Sequence, residues 1–124
     1  MTTVLVIDDS PSEMAKFRDM LSKNNYQVLE ATNGEQGCQM AIDHLPDVIL
    51  MDVVMPEMNG YEATKAIRAM NDRPDGKNIP IIAMTANSFA EDVQASLDAG
   101  MNAHLSKPIV IDEVIKTILR YVHN

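Results

Sequence analysis

Val48-Ile49-Leu50-Met51-Asp52 is the stretch that decides the fold: four consecutive apolar residues ending on a lone carboxylate. A run apolar on both sides suits a strand of a parallel sheet with helices packed on both faces. Working outward, comparable runs stand at Val4-Leu5-Val6-Ile7, from Tyr26 to Ala31, from Ile79 to Met84, and at Ala103-His104-Leu105. Between and after them, apolar residues recur at helical spacing. The sets are Met14, Phe17, Leu21; Cys38, Ala41, Ile42, Leu45; Ala63, Ala66, Ile67, Met70; Ala90, Val93, Leu97; and Ile111, Val114, Ile115, Ile118, Val122. Strand and helix alternating five times predict an α/β chain, a three-layer α/β/α sandwich around a five-stranded parallel sheet.

Punctuation agrees with this reading. Ser10-Pro11-Ser12-Glu13 and Ser88-Phe89-Ala90-Glu91 read as capping boxes, a hydroxyl followed three residues later by a carboxylate. Asn33-Gly34 and Asn59-Gly60 supply two more helix starts, and Gly100 is placed to close the fourth helix in a left-handed conformation.

With 124 residues, the chain is expected to form one domain over 1–124, with no output domain fused to it. Its 46% hydrophobic and 23% charged residues are globular proportions, and no apolar run approaches the roughly 20 residues of a membrane span. Eighteen acidic against ten basic residues leave a charge of -8, which argues against nucleic acid and anionic lipid as partners. The single Cys38 permits no internal disulfide, and the N-terminus lacks a signal peptide, so the cytoplasm is the expected compartment. The ten methionines read as core filler, and His44 and His123 as helix-end residues without metal partners.

The chemistry lies where strands end. Asp8-Asp9 follows the first, Asp52 the third, Thr85 the fourth and Lys107-Pro108 the fifth. All carboxyl ends of a parallel sheet point the same way, and ligands bind in the crevice where strand order reverses, so these residues are expected to form one site. Three carboxylates there would repel one another without a cation, and hard oxygen donors suit Mg²⁺. A carboxylate beside Mg²⁺, with an amine and a hydroxyl near it, has what phosphoryl transfer needs: a nucleophile, neutralising charge and hydrogen-bond donors. Asp52, alone at the end of the central strand, is the expected nucleophile, while Asp8 and Asp9 are expected to hold the metal.

Four segments carry a family resemblance across the whole chain. They are Val4-Leu5-Val6-Ile7-Asp8-Asp9-Ser10, the run from Ile49 through Asp52 and Met55-Pro56-Glu57-Met58 to Asn59-Gly60, Pro80-Ile81-Ile82-Ala83-Met84-Thr85-Ala86, and Ala99-Gly100 through Leu105-Ser106-Lys107-Pro108. The sequence resembles the receiver domain of two-component response regulators, a flavodoxin-like fold with strand order 2-1-3-4-5. The resemblance implies that Asp52 accepts a phosphoryl group from a sensor histidine kinase or a histidine phosphotransfer protein. It also implies Asp8, Asp9, Asp52 and the main-chain carbonyl of Val54 as Mg²⁺ ligands, Lys107 as partner of the phosphoryl oxygens, and Thr85 and His104 as the switch pair. A surface of the fourth helix, fifth strand and fifth helix would then be read by a downstream protein. The expected state is a monomer, with a dimer on phosphorylation as the alternative, and slow self-catalysed phosphorylation and dephosphorylation rather than conventional enzyme turnover.

The first third resembles stand-alone chemotaxis-like regulators of type IV pili and twitching motility. The segments around Thr85 to Phe89 and Asn102 to Pro108 resemble receivers attached to hybrid histidine kinases, so an excised receiver is the alternative origin. Three positions depart from the family pattern: His104, where Tyr or Phe is usual; Gly37, where Ala is usual; and Val110, where a polar cap is usual. A flavodoxin-type electron carrier is disfavoured because Asp8-Asp9 stands where a flavin phosphate loop would be. A Mg²⁺-dependent phosphatase is disfavoured because its one-residue-spaced aspartates and substrate cap are missing. A phosphorylation-independent interaction module is the remaining rival, against which stand the intact site positions.

Overall fold

The computed structural model describes residues 2–55, 58–69, 79–85 and 90–122. In chain order the elements are β1 (Thr3–Ile7), α1 (Pro11–Lys23), β2 (Gln27–Ala31), α2 (Gly34–His44), β3 (Val48–Asp52), α3 (Gly60–Arg68), β4 (Ile81–Thr85), α4 (Ala90–Ala99), β5 (Ala103–Ser106) and α5 (Ile111–Tyr121). The five strands form one parallel sheet in the order β2-β1-β3-β4-β5. The strand pattern, the sandwich and the reversal of order between β1 and β3 agree with the sequence reading.

Strict alternation along the central strands builds two cores. Leu5 and Ile7, Ile49 and Met51, and Ile81 and Ala83 face one side, where Ala41 of α2 and Ala63 and Ile67 of α3 meet them. Val4 and Val6, Val48 and Leu50, and Ile82 and Met84 face the other, against Met14, Phe17 and Leu21 of α1 and Val114 and Ile118 of α5. Each large side chain removed from water in this way contributes roughly 1.5–3 kcal/mol. That apolar mass fixes the register of the strand ends, where polar groups gather.

Several local readings are corrected. The Ser10 box is only half formed: Ser10 Oγ accepts from Glu13 N–H at 3.4 Å, but Ser10 N–H donates to Asp8 Oδ1 at 2.9 Å, so the reciprocal donor is already engaged. The reciprocal box stands instead at Asn59 and Glu62, at the start of α3. Leu45 is not a core residue of α2; it is the C-cap, at φ 47°, and more than half exposed. Pro46 follows it, and the residue before a proline is disfavoured in the right-handed helix. In α4, Ser96 and Ala99 are buried while Leu97 faces solvent. Met70, Pro56-Glu57, the Ser88 cap with Glu91, the side chains of Ala90 and Val93, and His123 lie outside the described residues.

Gly100 closes α4 as expected, at φ 104°, with Gly100 N–H donating to Leu97 and Met101 N–H to Ser96 in a Schellman arrangement. Val110 caps α5 without a side-chain hydrogen bond, as its apolar side chain dictates. Gly37 has a packing reason: a Cβ there would run into the fully buried Ile7 side chain, meeting Cδ1 and lying 2.9 Å from Cγ1.

Gly37→Ala is therefore expected to destabilise the fold by about 1–3 kcal/mol, overriding the helix-propensity gain of up to about 1 kcal/mol. Removing Cδ1 with Ile7→Val should make the pair non-additive, with the double variant more stable than the sum of the singles in a denaturant double-mutant cycle.

Candidate functional site

Neighbouring strands β1 and β3 pair Ile7 with Met51, so the next residue on each, Asp8 and Asp52, emerges at the same level of the sheet. Asp8 is 1% and Asp52 6% exposed, and Asp9 beside them faces solvent. Carboxylate oxygens of all three lie within 4.8 Å of one another. From the residue just after β5, Lys107 reaches in, its Nζ 3.4 Å from Asp52 Oδ1 and 3.7 Å from Asp8 Oδ2. Lys107 N–H donates to the Thr85 carbonyl at 2.8 Å, joining the ends of β4 and β5, and the Lys107–Pro108 peptide bond is cis. The buried Thr85 thus ends its strand beside the lysine that touches both carboxylates.

Backbone amides help hold the carboxylates. Ser10 N–H donates to Asp8 Oδ1 at 2.9 Å, and Val54 N–H donates to Asp52 Oδ1 at 3.4 Å from the loop that follows β3. The Ser10 amide was not anticipated from the sequence; its signal is an aspartate two residues before a helix-capping serine, the pattern of an Asx turn. Behind Asp52, Gly60 N–H donates to the Val53 carbonyl at 2.9 Å, and a Cβ on Gly60 would lie 2.9 Å from Val53 Cα. The start of α3 therefore lies directly against the loop carrying Val54, whose own side chain is three-quarters exposed.

The charges are not balanced. Burial, then the Asp8 charge, push the Asp52 carboxyl up to about 6, against the opposing pull of Lys107 and the Val54 N–H. Asp8 is also raised, chiefly by burial, with Ser10 N–H and Lys107 opposing. Asp8 Oδ2 is buried without a hydrogen bond, since 3.7 Å from Lys107 Nζ is ion-pair distance only. An orphaned buried oxygen among three hard anionic donors fits a small divalent cation such as Mg²⁺, which takes one or two carboxylates and retains waters.

Of the sequence-derived residues, Asp8, Asp9, Asp52 and Lys107 form this cluster, with Thr85 and Val54 on its rim. His104 stands apart: it pairs with Ala83, two residues short of Thr85 on β4, and is exposed.

Residues 4–119 match the family model described as response regulator receiver domain. Protein PilH of Pseudomonas aeruginosa is 39% identical over 118 residues, covering 95% of each chain. The polar-differentiation response regulator DivK of Brucella anthropi is 34% identical, over 97% of this chain and 95% of its own. Among solved structures, the chemotaxis protein CheY4 of Vibrio cholerae superimposes with a TM-score of 0.91 at 32% identity, covering 98% of this chain and 99% of its own. A sensor histidine kinase receiver domain from Pseudomonas aeruginosa, with magnesium coordinated in its active-site cleft, gives 0.89 at 34% identity, covering 99% and 98%.

Two outcomes follow from the charge imbalance. Millimolar Mg²⁺ is expected to raise Tm, because a ligand bound only by the folded state stabilises it; an unchanged melting curve would count against the carboxylate cluster as a cation site. In metal-free buffer, Asp52→Asn is expected to stabilise the fold. With the native carboxyl at about 6 against an unfolded value near 3.9, the native state binds the extra proton, so ionised Asp52 opposes folding above pH 6 by about 1–3 kcal/mol. The advantage of the variant should be full at pH 8 and shrink as pH falls through 6 towards 4, as read from urea unfolding in EDTA.

Proposed function

The chain belongs to the response regulator receiver domain family, and from that premise we propose that Asp52 is its phosphoacceptor, in a Mg²⁺-dependent reaction with a phosphohistidine of a sensor kinase or phosphotransfer protein. Supporting this above all is the meeting of three carboxylates with Lys107 around the unsatisfied Asp8 Oδ2. Asp8, Asp9 and Asp52, with the Val54 carbonyl, would hold the ion. When bound, it neutralises the acidic cluster and the negative charge of the incoming phosphoryl group.

A carboxylate oxygen of Asp52 attacks phosphorus; the bond from phosphorus to the donor imidazole nitrogen breaks, and the imidazole leaves with that electron pair and takes a proton. Asp52 carries no nucleophile-activating base and needs none, because a carboxylate is already anionic. Lys107, already at Asp52, supplies positive charge to the transferred oxygens. Thr85, at the end of β4 beside Lys107, would move its hydroxyl inward to the same group, and that shift would be relayed to α4, β5 and α5, with the exposed His104 as the residue that follows it.

The protein is a signalling module and not a conventional enzyme. Slow self-catalysed gain and loss of the phosphoryl group belongs to this reading, as do a cytoplasmic setting and a downstream protein that binds the α4, β5 and α5 surface. Among the described residues no helix is long and apolar enough to cross a membrane. The similarity to PilH and to a kinase-attached receiver leaves a stand-alone regulator and a receiver of a hybrid kinase as the two settings for the same chemistry.

Intact-protein mass after incubation with Mg²⁺ and acetyl phosphate tests the assignment. Wild type is expected to gain one phosphoryl group and Asp52→Asn none. Gain in both would move the acceptor elsewhere, and gain in neither, together with no beryllofluoride binding, would favour a phosphorylation-independent module.

A further inference from the structure

At the pole of the sheet opposite Asp52, one arginine ties together four segments. Arg68, the last residue of α3, donates through Nε and Nη2 to the Gly100 carbonyl at 3.0 and 2.7 Å. Its Nη1 donates to the Ile79 carbonyl at 2.6 Å, and Nη2 also to Asn102 Oδ1 at 2.8 Å. Asn102 in turn accepts from Ile81 N–H at Oδ1, donates its own N–H to the Ile81 carbonyl, and accepts from the Tyr121 hydroxyl at its carbonyl. The guanidinium is half-buried, which lowers its pKa through desolvation, and its aliphatic stem crosses the face of Gly100, where a Cβ would lie 3.1 Å from Cγ. Gly100 is thus fixed twice, by its left-handed backbone and by the room it leaves for Arg68.

This cluster holds the end of α3, the approach to β4, the end of α4, the start of β5 and the end of α5. The last three are the far ends of the elements assigned to the switching surface, whose near ends lie at Thr85 and Lys107. A cation at the C-termini of α3 and α4 is favoured by both helix dipoles, and a planar fork satisfying carbonyls on separate segments fixes their relative orientation, as a lysine could not.

We infer that the Arg68, Asn102 and Tyr121 cluster is the fixed pivot of the switching surface, so that a shift at the Asp52 end becomes a tilt of α5 and β5 about this pole. The inference rests on the phosphoacceptor reading. If the far ends were loose, displacement at the site would be absorbed by local adjustment and would not reach α5 as a body.

The test uses the full chain and amide chemical-shift displacements caused by Mg²⁺ with beryllofluoride. In Arg68→Lys, binding is expected to stay within about twofold of wild type, and displacements at residues 81–85 and 105–107 to persist, while those across residues 111–121 fall to about half or less. Tyr121→Phe, which removes one exposed hydroxyl and leaves Arg68 in place, covers the case in which Arg68→Lys fails to fold; its loss should be confined to α5. A lowered Tm with undiminished displacements in both variants would overturn the pivot and leave the cluster a stability element. Absence of any response in wild type would overturn the phosphoacceptor reading, and the pivot with it, whereas a wild-type response left intact in the variants sinks the pivot alone.

Discussion

Two carboxylates, Asp8 and Asp52, are held almost out of water on adjacent strands, with Lys107 as the one cation that the described residues place against both. Like charges in a poorly solvated site destabilise each other, and a single ammonium more than 3 Å away cannot neutralise two buried anions and the exposed Asp9 beside them. The strain shows in the upward shift of Asp52 and in the unsatisfied Asp8 Oδ2. It is tolerated because the strands that present these groups are apolar on both faces and locked between two cores. The fold thus supplies a rigid frame for a cluster of carboxylates whose mutual repulsion and burial oppose folding.

Topology makes that arrangement unavoidable. Since β1 sits beside β3 and not beside a strand further along the sheet, the residue after Ile7 and the residue after Met51 must share a level. The crossover of order at this point leaves the crevice above them uncovered by a connecting helix, which is where ligands of open parallel sheets lie. On the next pair, Thr85 stands opposite Ser106, which puts Lys107 one residue beyond the strand and within reach of Asp52. Four polar residues separated by up to a hundred positions in sequence meet because of strand order alone.

This is why so much of the site was legible beforehand. A doubly apolar strand announces itself without any knowledge of its neighbours, and the residue that follows it inherits a place at the carboxyl edge. What stayed hidden depends on who meets whom. Glu13 could not be known to lose its cap partner until Ser10 N–H was seen to serve Asp8. Gly37 reads as a weak helix residue until Ile7 is found lying against it. Leu97 obeys the helical period of α4 yet faces solvent, while Ser96 and Ala99, whose small side chains permit close approach, are buried. Apolar period marks the side chains that could be buried, and close packing of backbones selects among them.

The two poles of the sheet differ in the kind of interaction that holds them, and that difference suits a switch. At the Asp52 end, Ser10 N–H holds Asp8 at 2.9 Å, but the contacts to Asp52 itself are longer than ideal hydrogen bonds, 3.4 Å from Lys107 Nζ and 3.4 Å from Val54 N–H, and Lys107 stands 3.7 Å from Asp8. At the Arg68 end they are short hydrogen bonds to main-chain carbonyls, between 2.6 and 3.0 Å, which no change of charge at the site touches directly. Negative charge added at Asp52 would change the balance at the first pole and touch no contact of the second. On the phosphoacceptor reading, a sheet packed between two cores would carry the change to the elements on its β5 side, where a sensitive end and a fixed end belong to the same strand and helix.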